Sequence, residues 1–225
     1  MVINKDIPFK IKLENYLQKV KLSKDHKKIN QIKKWINKVN KIGHPKAVYR
    51  ESYIDKIEKD YVVIEGQKFK SKVLSINLQD IYKVIIYVIT CGRELMEWVE
   101  NIQGDILENY WLSMLQDSVL NQARDYVMEE INNNYFPGST STMNPGSTKG
   151  WSISEQTKLF KLLGELEREI GVSLTESFLM IPQKSVSGLV FPTEENFENC
   201  QLCSRKNCPR RKTPFEPELL AKKYN

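Results

Sequence analysis

Eight consecutive residues, Lys83-Val-Ile-Ile-Tyr-Val-Ile-Thr90, constrain the architecture of this chain more than any others. They are dense in β-branched side chains, and after Lys83 neither face carries a charge. A strand with one wet face alternates apolar and polar residues, whereas a strand covered on both faces stays apolar throughout. The run therefore predicts a central strand of a sheet with material packed against both sides. It ends at Cys91-Gly92, where Arg93-Glu-Leu-Met-Glu-Trp98-Val99 opens a helical pattern. A thiol at the carboxyl end of such a strand stands at a sheet rim, where ligands often bind. A small core residue is the other reading of Cys91.

Around that strand the organisation is mixed α and β. The 225 residues suffice for one large domain with appendages. The expected division is a basic helical extension over 1–47, a central domain over 48–195 and a cysteine-rich tail over 196–225. In the extension, Ile29, Ile32, Ile36 and Val39 recur at helical spacing with lysines between them. Much of the net charge of +6 lies there. A lysine-rich helix face is usually only solvated, so the reading excludes nucleic acid as a partner. After a break at Gly43-His44-Pro45, Tyr61 to Phe69 reads as two strands joined by a Glu65-Gly66 turn, with Val73 to Ile76 extending the second. Asp105 to about Asn133 reads as one long helix whose Leu107, Trp111, Met114, Leu115, Val119, Ala123, Val127 and Ile131 return to one face. Its Asp117, Asp125 and Glu129 read as solvated carboxylates rather than ligands.

A polar loop, Tyr135 to Gly150, contains two Pro-Gly pairs and leads into Trp151-Ser152-Ile-Ser-Glu155. Small residues leave backbone groups free to approach a ligand, and the loop ends at a predicted helix start with Ser152 and Glu155 as a capping box. One apolar helix face then runs from Leu159 to Ile170, and Ser185 to Phe191 alternates as a strand.

Three of the four cysteines fall within nine residues as Cys200-x2-Cys203-x4-Cys208-Pro209. Thiolates are soft ligands for iron–sulfur clusters and zinc, and Cys91 can supply a fourth if the fold brings it near. The N-terminus has no apolar stretch or cleavage site of a signal peptide, and no run is long enough to span a membrane. The expected location is cytoplasmic, where thiols stay reduced and serve as ligands rather than as a disulfide framework. With only His26 and His44 present, both in the basic region, a cysteine–histidine hydrolase is not expected.

Ile170-Gly171, Leu174-Thr175-Glu176-Ser177-Phe178 and, after a short gap, Ser185-Val186-Ser187-Gly188 resemble the signature of the activation domain of cobalamin-dependent methionine synthase. The Asn144-Pro145-Gly146 loop and the helix after it stand ahead of that segment in the same order. The resemblance covers roughly residues 70 to 191. It implies an α+β fold, a twisted antiparallel sheet flanked by helices, that binds S-adenosylmethionine and supports reductive remethylation of an inactive cob(II)alamin. The family's Arg-x-x-x-Gly-Tyr loop motif falls on Thr142 to Ser147 and keeps only Gly146; a guanidinium fork on a carboxylate is not reproduced by threonine. The cofactor-binding residues implied are Thr142, Asn144, Pro145, Gly146, Ser147, Glu176, Ser187 and Gly188.

With no corrin, folate or homocysteine module in the sequence, the expected partner is a separate corrinoid protein or methyltransferase. Its electron donor would be of flavodoxin or ferredoxin type. Together with the tail, the resemblance leads to an expected iron–sulfur cluster, of the 4Fe-4S kind, on Cys200, Cys203 and Cys208 with Cys91 or an outside ligand as the fourth, passing an electron to the corrinoid. Structural zinc in a non-catalytic binding partner is the alternative, and methyl transfer from S-adenosylmethionine a third reading.

Overall fold

The computed structural model describes residues 1–148, 150–194, 197–208 and 211–224. Lys149, the expected tail boundary at 195–196 and Pro209 of the cysteine motif lie outside them. The elements begin with β1 (Val2–Asn4), α1 (Leu13–Val20), α2 (Ile29–Ile42), β2 (Lys46–Glu58), β3 (Tyr61–Ile64) and β4 (Gln67–Lys70). They continue through α3 (Lys72–Asn77), β5 (Lys83–Thr90), α4 (Arg93–Glu100), α5 (Ile106–Tyr135), β6 (Thr140–Met143), α6 (Gln156–Leu163) and α7 (Leu166–Ile170). A short ribbon of β7 (Ser173–Leu174) and β8 (Met180–Ile181) precedes β9 (Ser185–Pro192), and α8 (Pro217–Lys223) lies near the C-terminus.

Seven strands form one antiparallel sheet in the order β4-β3-β2-β5-β9-β6, with β1 sharing an edge of β2 with β3. The fold is α+β, as expected. β5 lies in the interior between β2 and β9, and every residue from Val84 to Thr90 is buried. Because side chains alternate across a strand, its odd and even residues serve different cores. Ile85, Tyr87 and Ile89 pack with Trp35 and Ile36 of α2 and Leu115 and Val119 of α5 on the first face. Val84, Ile86 and Val88 pack with Leu74 of α3, Leu159 of α6 and Ile170 of α7 on the second.

The N-terminal helices complete the first face. Ile32, Trp35, Ile36 and Val39 of α2 are buried, leaving the lysines outside. α5 starts from a full capping box, Asp105 with Glu108, and Lys28 Nζ pairs with both carboxylates at 2.7 and 2.9 Å. Its Asp117 is not solvated as expected: it is buried and pairs with Lys184 at 3.2 Å. The tail completes the second face, where Phe197, Leu202 and Tyr224 join the core and the Tyr224 hydroxyl donates to Asn77 Oδ1 at 2.6 Å.

Four further local expectations change. Residues 73–76 are helical rather than extended, because the Ser71 hydroxyl accepts from the Leu74 amide and caps α3. The helix expected through Ile170 is two helices, split at Gly164 with its φ of +82°. Glu155 closes no capping box with Ser152; its carboxylate accepts from the Lys70 amide at 3.0 Å and pairs with Lys158 at 2.7 Å. The thirteen-residue β2 and the short edge strand β6 lie where only a break and a loop were expected.

Candidate functional site

Where β6 leaves the sheet edge, Asn144 turns back across β9. Its Nδ2 donates to the Tyr87 hydroxyl and to the Ser187 carbonyl, both at 2.7 Å. This crossing requires Gly188. A Cβ there would lie 2.4 Å from the Met143 carbonyl oxygen and 2.5 Å from Asn144 Nδ2. Gly146 carries the turn that follows at φ +79°, and its amide donates to the Trp151 carbonyl at 2.8 Å. Burial raises the Tyr87 phenol to about 12, the Asn144 amide pulling modestly the other way, so it stays a neutral partner.

The same crossing opens a cleft of about 450 Å³ between the 144–147 loop, the start of α6 and β8–β9. Ser187 Oγ donates to Gln156 Oε1 at 2.8 Å, while Gln156 Nε2 donates to the Phe178 carbonyl. Gln156 thus ties β9 to the Thr175–Phe178 turn. Ser185 Oγ bonds Thr90 Oγ1 and the Pro182 carbonyl. Among the described residues no charged side chain lines the cleft; its walls are amides, hydroxyls and the apolar Pro145, Ile153, Leu179, Met180 and Val186.

Of the residues singled out from sequence, Asn144, Pro145, Ser147 and Ser187 line this cleft together. Gly146 and Gly188 shape it through backbone geometry. Thr142 does not line it: it pairs with Val190 in the β6–β9 ladder, and its carbonyl faces the tail. Glu176 is exposed on the turn and also lies off the lining. Tyr87, Gln156, Gln183 and Asn199 were missed. Only Tyr87 left a trace in the sequence, as the one polar-tipped side chain inside an apolar run.

The tail abuts the cleft loop directly. Asn199 Nδ2 donates to the Thr142 carbonyl and to Asn144 Oδ1, both at 3.1 Å. The next residue is Cys200, whose sulfur accepts from the Lys212 amide at 3.4 Å. Arg211 braces the cysteine loop by donating to the carbonyls of Cys200 (3.1 Å), Thr213 (3.3 Å), Cys203 (3.0 Å) and Arg205. Cys200, Cys203 and Cys208 are half-buried free thiols.

Cys91 sits elsewhere. It is fully buried with the first-face core, beside Ala47, Leu95 and Trp111, whereas Leu202 of the tail packs on the second face. The sheet separates them, so a four-thiolate set of Cys91 with the tail is not assembled. Burial pushes the Cys91 thiol up to about 12, against a metal ligand's need for a thiolate. Among the described residues no three His, Cys, Asp or Glu side chains converge to hold a metal ion.

A larger hollow of about 880 Å³ lies at the other end of β9, between Tyr82, Phe136 and Lys223. Its described lining includes the first Pro-Gly pair of the polar loop, Pro137-Gly138, but none of the candidate cofactor or metal residues. No helix among the described residues is long and apolar enough to cross a membrane.

A search of curated proteins finds no match. Among solved structures, the crystal structure of the MetH reactivation domain bound to AdoHcy superposes with a TM-score of 0.67 at 16% identity, covering 98% of this chain and 89% of that one. At that identity the likeness establishes the fold. The family model for the activation domain of vitamin B12-dependent methionine synthase matches residues 51–205, which takes in β5, the cleft and the first two tail cysteines. By that match this chain belongs to the vitamin B12-dependent methionine synthase activation domain family.

Proposed function

We propose that this chain supports reductive reactivation of a cob(II)alamin-type corrinoid carried by a separate corrinoid protein or methyltransferase. The observation that carries the proposal is the family match over residues 51–205, together with the cleft built by its Asn144–Ser147 loop and Ser185–Gly188 strand. Reactivation requires one electron delivered to the partner's cobalt, from a donor of flavodoxin or ferredoxin type. The part assigned to this chain is positional. The cleft face docks the corrinoid-bearing partner, offering the exposed Leu179 (52%) and Ile153 (37%) as apolar contacts. Asn144 holds that face in one geometry through its bonds to Tyr87, Ser187 and Asn199.

S-adenosylmethionine, which the family implies, does not fit the donor set of this cleft. Its amino-acid end carries a carboxylate and an ammonium, and neither finds a charged partner among the described lining residues. No methyl-transfer step is assigned to it. The tail is proposed to bind a soft metal centre, iron–sulfur or zinc, through Cys200, Cys203 and Cys208, with a fourth ligand from outside the chain. The amide of Lys212 aimed at Cys200 Sγ supports this, since such bonds tune a metal-bound thiolate. Because the three thiols do not yet converge, no electron-transfer step is routed through that centre.

The test is the decay of the Co(II) electron paramagnetic resonance signal of a cob(II)alamin-loaded partner protein, given a reduced low-potential donor. The chain should accelerate the decay at substoichiometric amounts. Identical decay with and without it would sink the proposal. Iron, sulfide and zinc analysis of protein purified without oxygen tests the metal part separately.

A further inference from the structure

The first 42 residues hold twelve lysines against three carboxylates. With that excess a single surface lysine says little, whereas a cluster fixed around a hollow is informative. One such hollow, of about 180 Å³, lies where residues 10–19 meet α5. It belongs to the first-face side, where Tyr16 and Leu115 pack, and shares no lining residue with the Asn144 cleft. Lys10, Lys12 and Lys19 line it, with Asn15 of α1 and Asn121 of α5, and no described lining residue is a carboxylate. Glu14, the acid nearest in sequence, stays off the lining.

The walls are fixed in advance, although residues 10–12 belong to no helix or strand. The Lys10 amide donates to Gln122 Oε1 at 2.9 Å, and Gln122 Nε2 donates back to the Lys10 carbonyl at 3.3 Å. Asn40 clamps Ile11 in the same two-point way, at 2.8 and 3.0 Å. The Tyr16 hydroxyl is committed to the Trp111 carbonyl at 2.7 Å. Side-chain acceptors are occupied too: Lys19 Nζ donates to Ser118 Oγ at 2.9 Å, and Ser118 passes its own proton to the Met114 carbonyl. Donors are left over. The ammonium groups of Lys10 and Lys12 and the carboxamides of Asn15 and Asn121 make no hydrogen bond among the described residues. α1 opens here as well, with Lys12 at an N-cap that makes no side-chain bond.

We propose that this hollow binds a compact oxyanion of phosphate size. Positive charge and N–H donors in surplus, with the acceptors taken, are what an anion rich in oxygen completes. The volume lies below the roughly 300 Å³ at which sites for whole drug-sized ligands begin, so it suits a single phosphate group rather than a nucleotide. The clamped backbone holds the lysines' attachment points, which lowers the ordering cost of binding. The group is either free phosphate or the end of a phosphate monoester. The proposal is independent of the reactivation reading.

The experiment is a titration of the isotope-labelled full chain, read by amide chemical shifts at constant ionic strength, since screening alters any diffuse attraction. Inorganic phosphate, glycerol phosphate and chloride are the separate arms. Phosphate should give saturable shifts confined to residues 10–19 and 118–122, and chloride should not. Lys12→Gln should weaken phosphate by about tenfold, the order expected of one charge-assisted hydrogen bond. Asn121→Asp, which adds a like charge to the wall, should weaken it further. Lys34→Gln removes the same charge from an exposed position off the lining and should change nothing. Lys12 is exposed, so its variant should melt with the wild type. Tighter binding of glycerol phosphate supports a monoester as the ligand, and tighter binding of inorganic phosphate supports the free anion. Failure of both to saturate overturns the proposal. So do shifts spread along the lysines of α2, or a loss in Lys34→Gln equal to that in Lys12→Gln.

Discussion

Cys91 and Gly188 show how far one residue's role depends on its surroundings. Cys91 is a core thiol, kept protonated by burial. In reduced, chelator-treated protein at pH 8, three thiols should react rapidly with a chromogenic disulfide and the fourth only after denaturation. Four fast thiols would contradict its placement. Cys91→Ala should leave metal uptake by the tail unchanged. Its pH signature has a definite sign. Both Cys91 and Tyr87 titrate higher in the folded chain than when unfolded, from ordinary values of 9.0 and 10.0 to about 12. Their contribution to stability is complete below pH 9 and is lost as pH rises towards 12, where the unfolded state ionises first. Denaturant melts from pH 8 to 11.5 should show stability falling above pH 9, less steeply in Cys91→Ala. At Gly188 the constraint is space: a Cβ meets backbone at 2.4 Å, so Gly188→Ala should cost about 1–3 kcal/mol in a thermal or denaturant melt.

At the scale of elements, the tail and the cleft loop form one connected unit. Asn199 makes the link, with two hydrogen bonds from a single amide. Asn199→Ala should destabilise by about 1–2 kcal/mol and increase hydrogen exchange at Thr142–Asn144. Unchanged exchange there would mean the link carries no energy. Legibility also divided along elements. β5 was readable because it is apolar on both faces, and α5 because its period is sustained over 30 residues. β2 was not, since Arg50, Glu51, Asp55 and Lys56 break its alternation while its backbone is paired on both edges. The Val73–Ile76 segment has strand-like composition, and the Ser71 cap overrode it. Gly164 was visible in the sequence, yet its positive-φ conformation, which splits the helix, was not.

Across the whole molecule, the two ends of the chain finish opposite faces of one sheet. The extension supplies Trp35 and Ile36 to the first core, and the tail supplies Phe197, Leu202 and Tyr224 to the second. A chain ended after Thr193 would uncover part of the second core. Burial of three large apolar side chains implies a loss on the order of 4 kcal/mol, with burial sums read as upper bounds. A melting temperature matching the full chain would show the tail to be a detachable appendage instead.

By itself the sequence determined the central strand, the long helix, the α+β class and the family resemblance, because each is written in local periodicity or in a contiguous motif. It also brought Asn144, Pro145, Ser147 and Ser187 forward as site residues. Only the tertiary structure decided that Cys91 and the tail thiols lie across the sheet from one another. It also decided that Thr142 pairs in the β6–β9 ladder off the cleft lining, and that Asn199, Gln156 and Tyr87 hold the cleft together. The physical reason is alternation: one residue of register sends a side chain to the opposite face of a sheet, and register is set by pairing between segments distant in sequence.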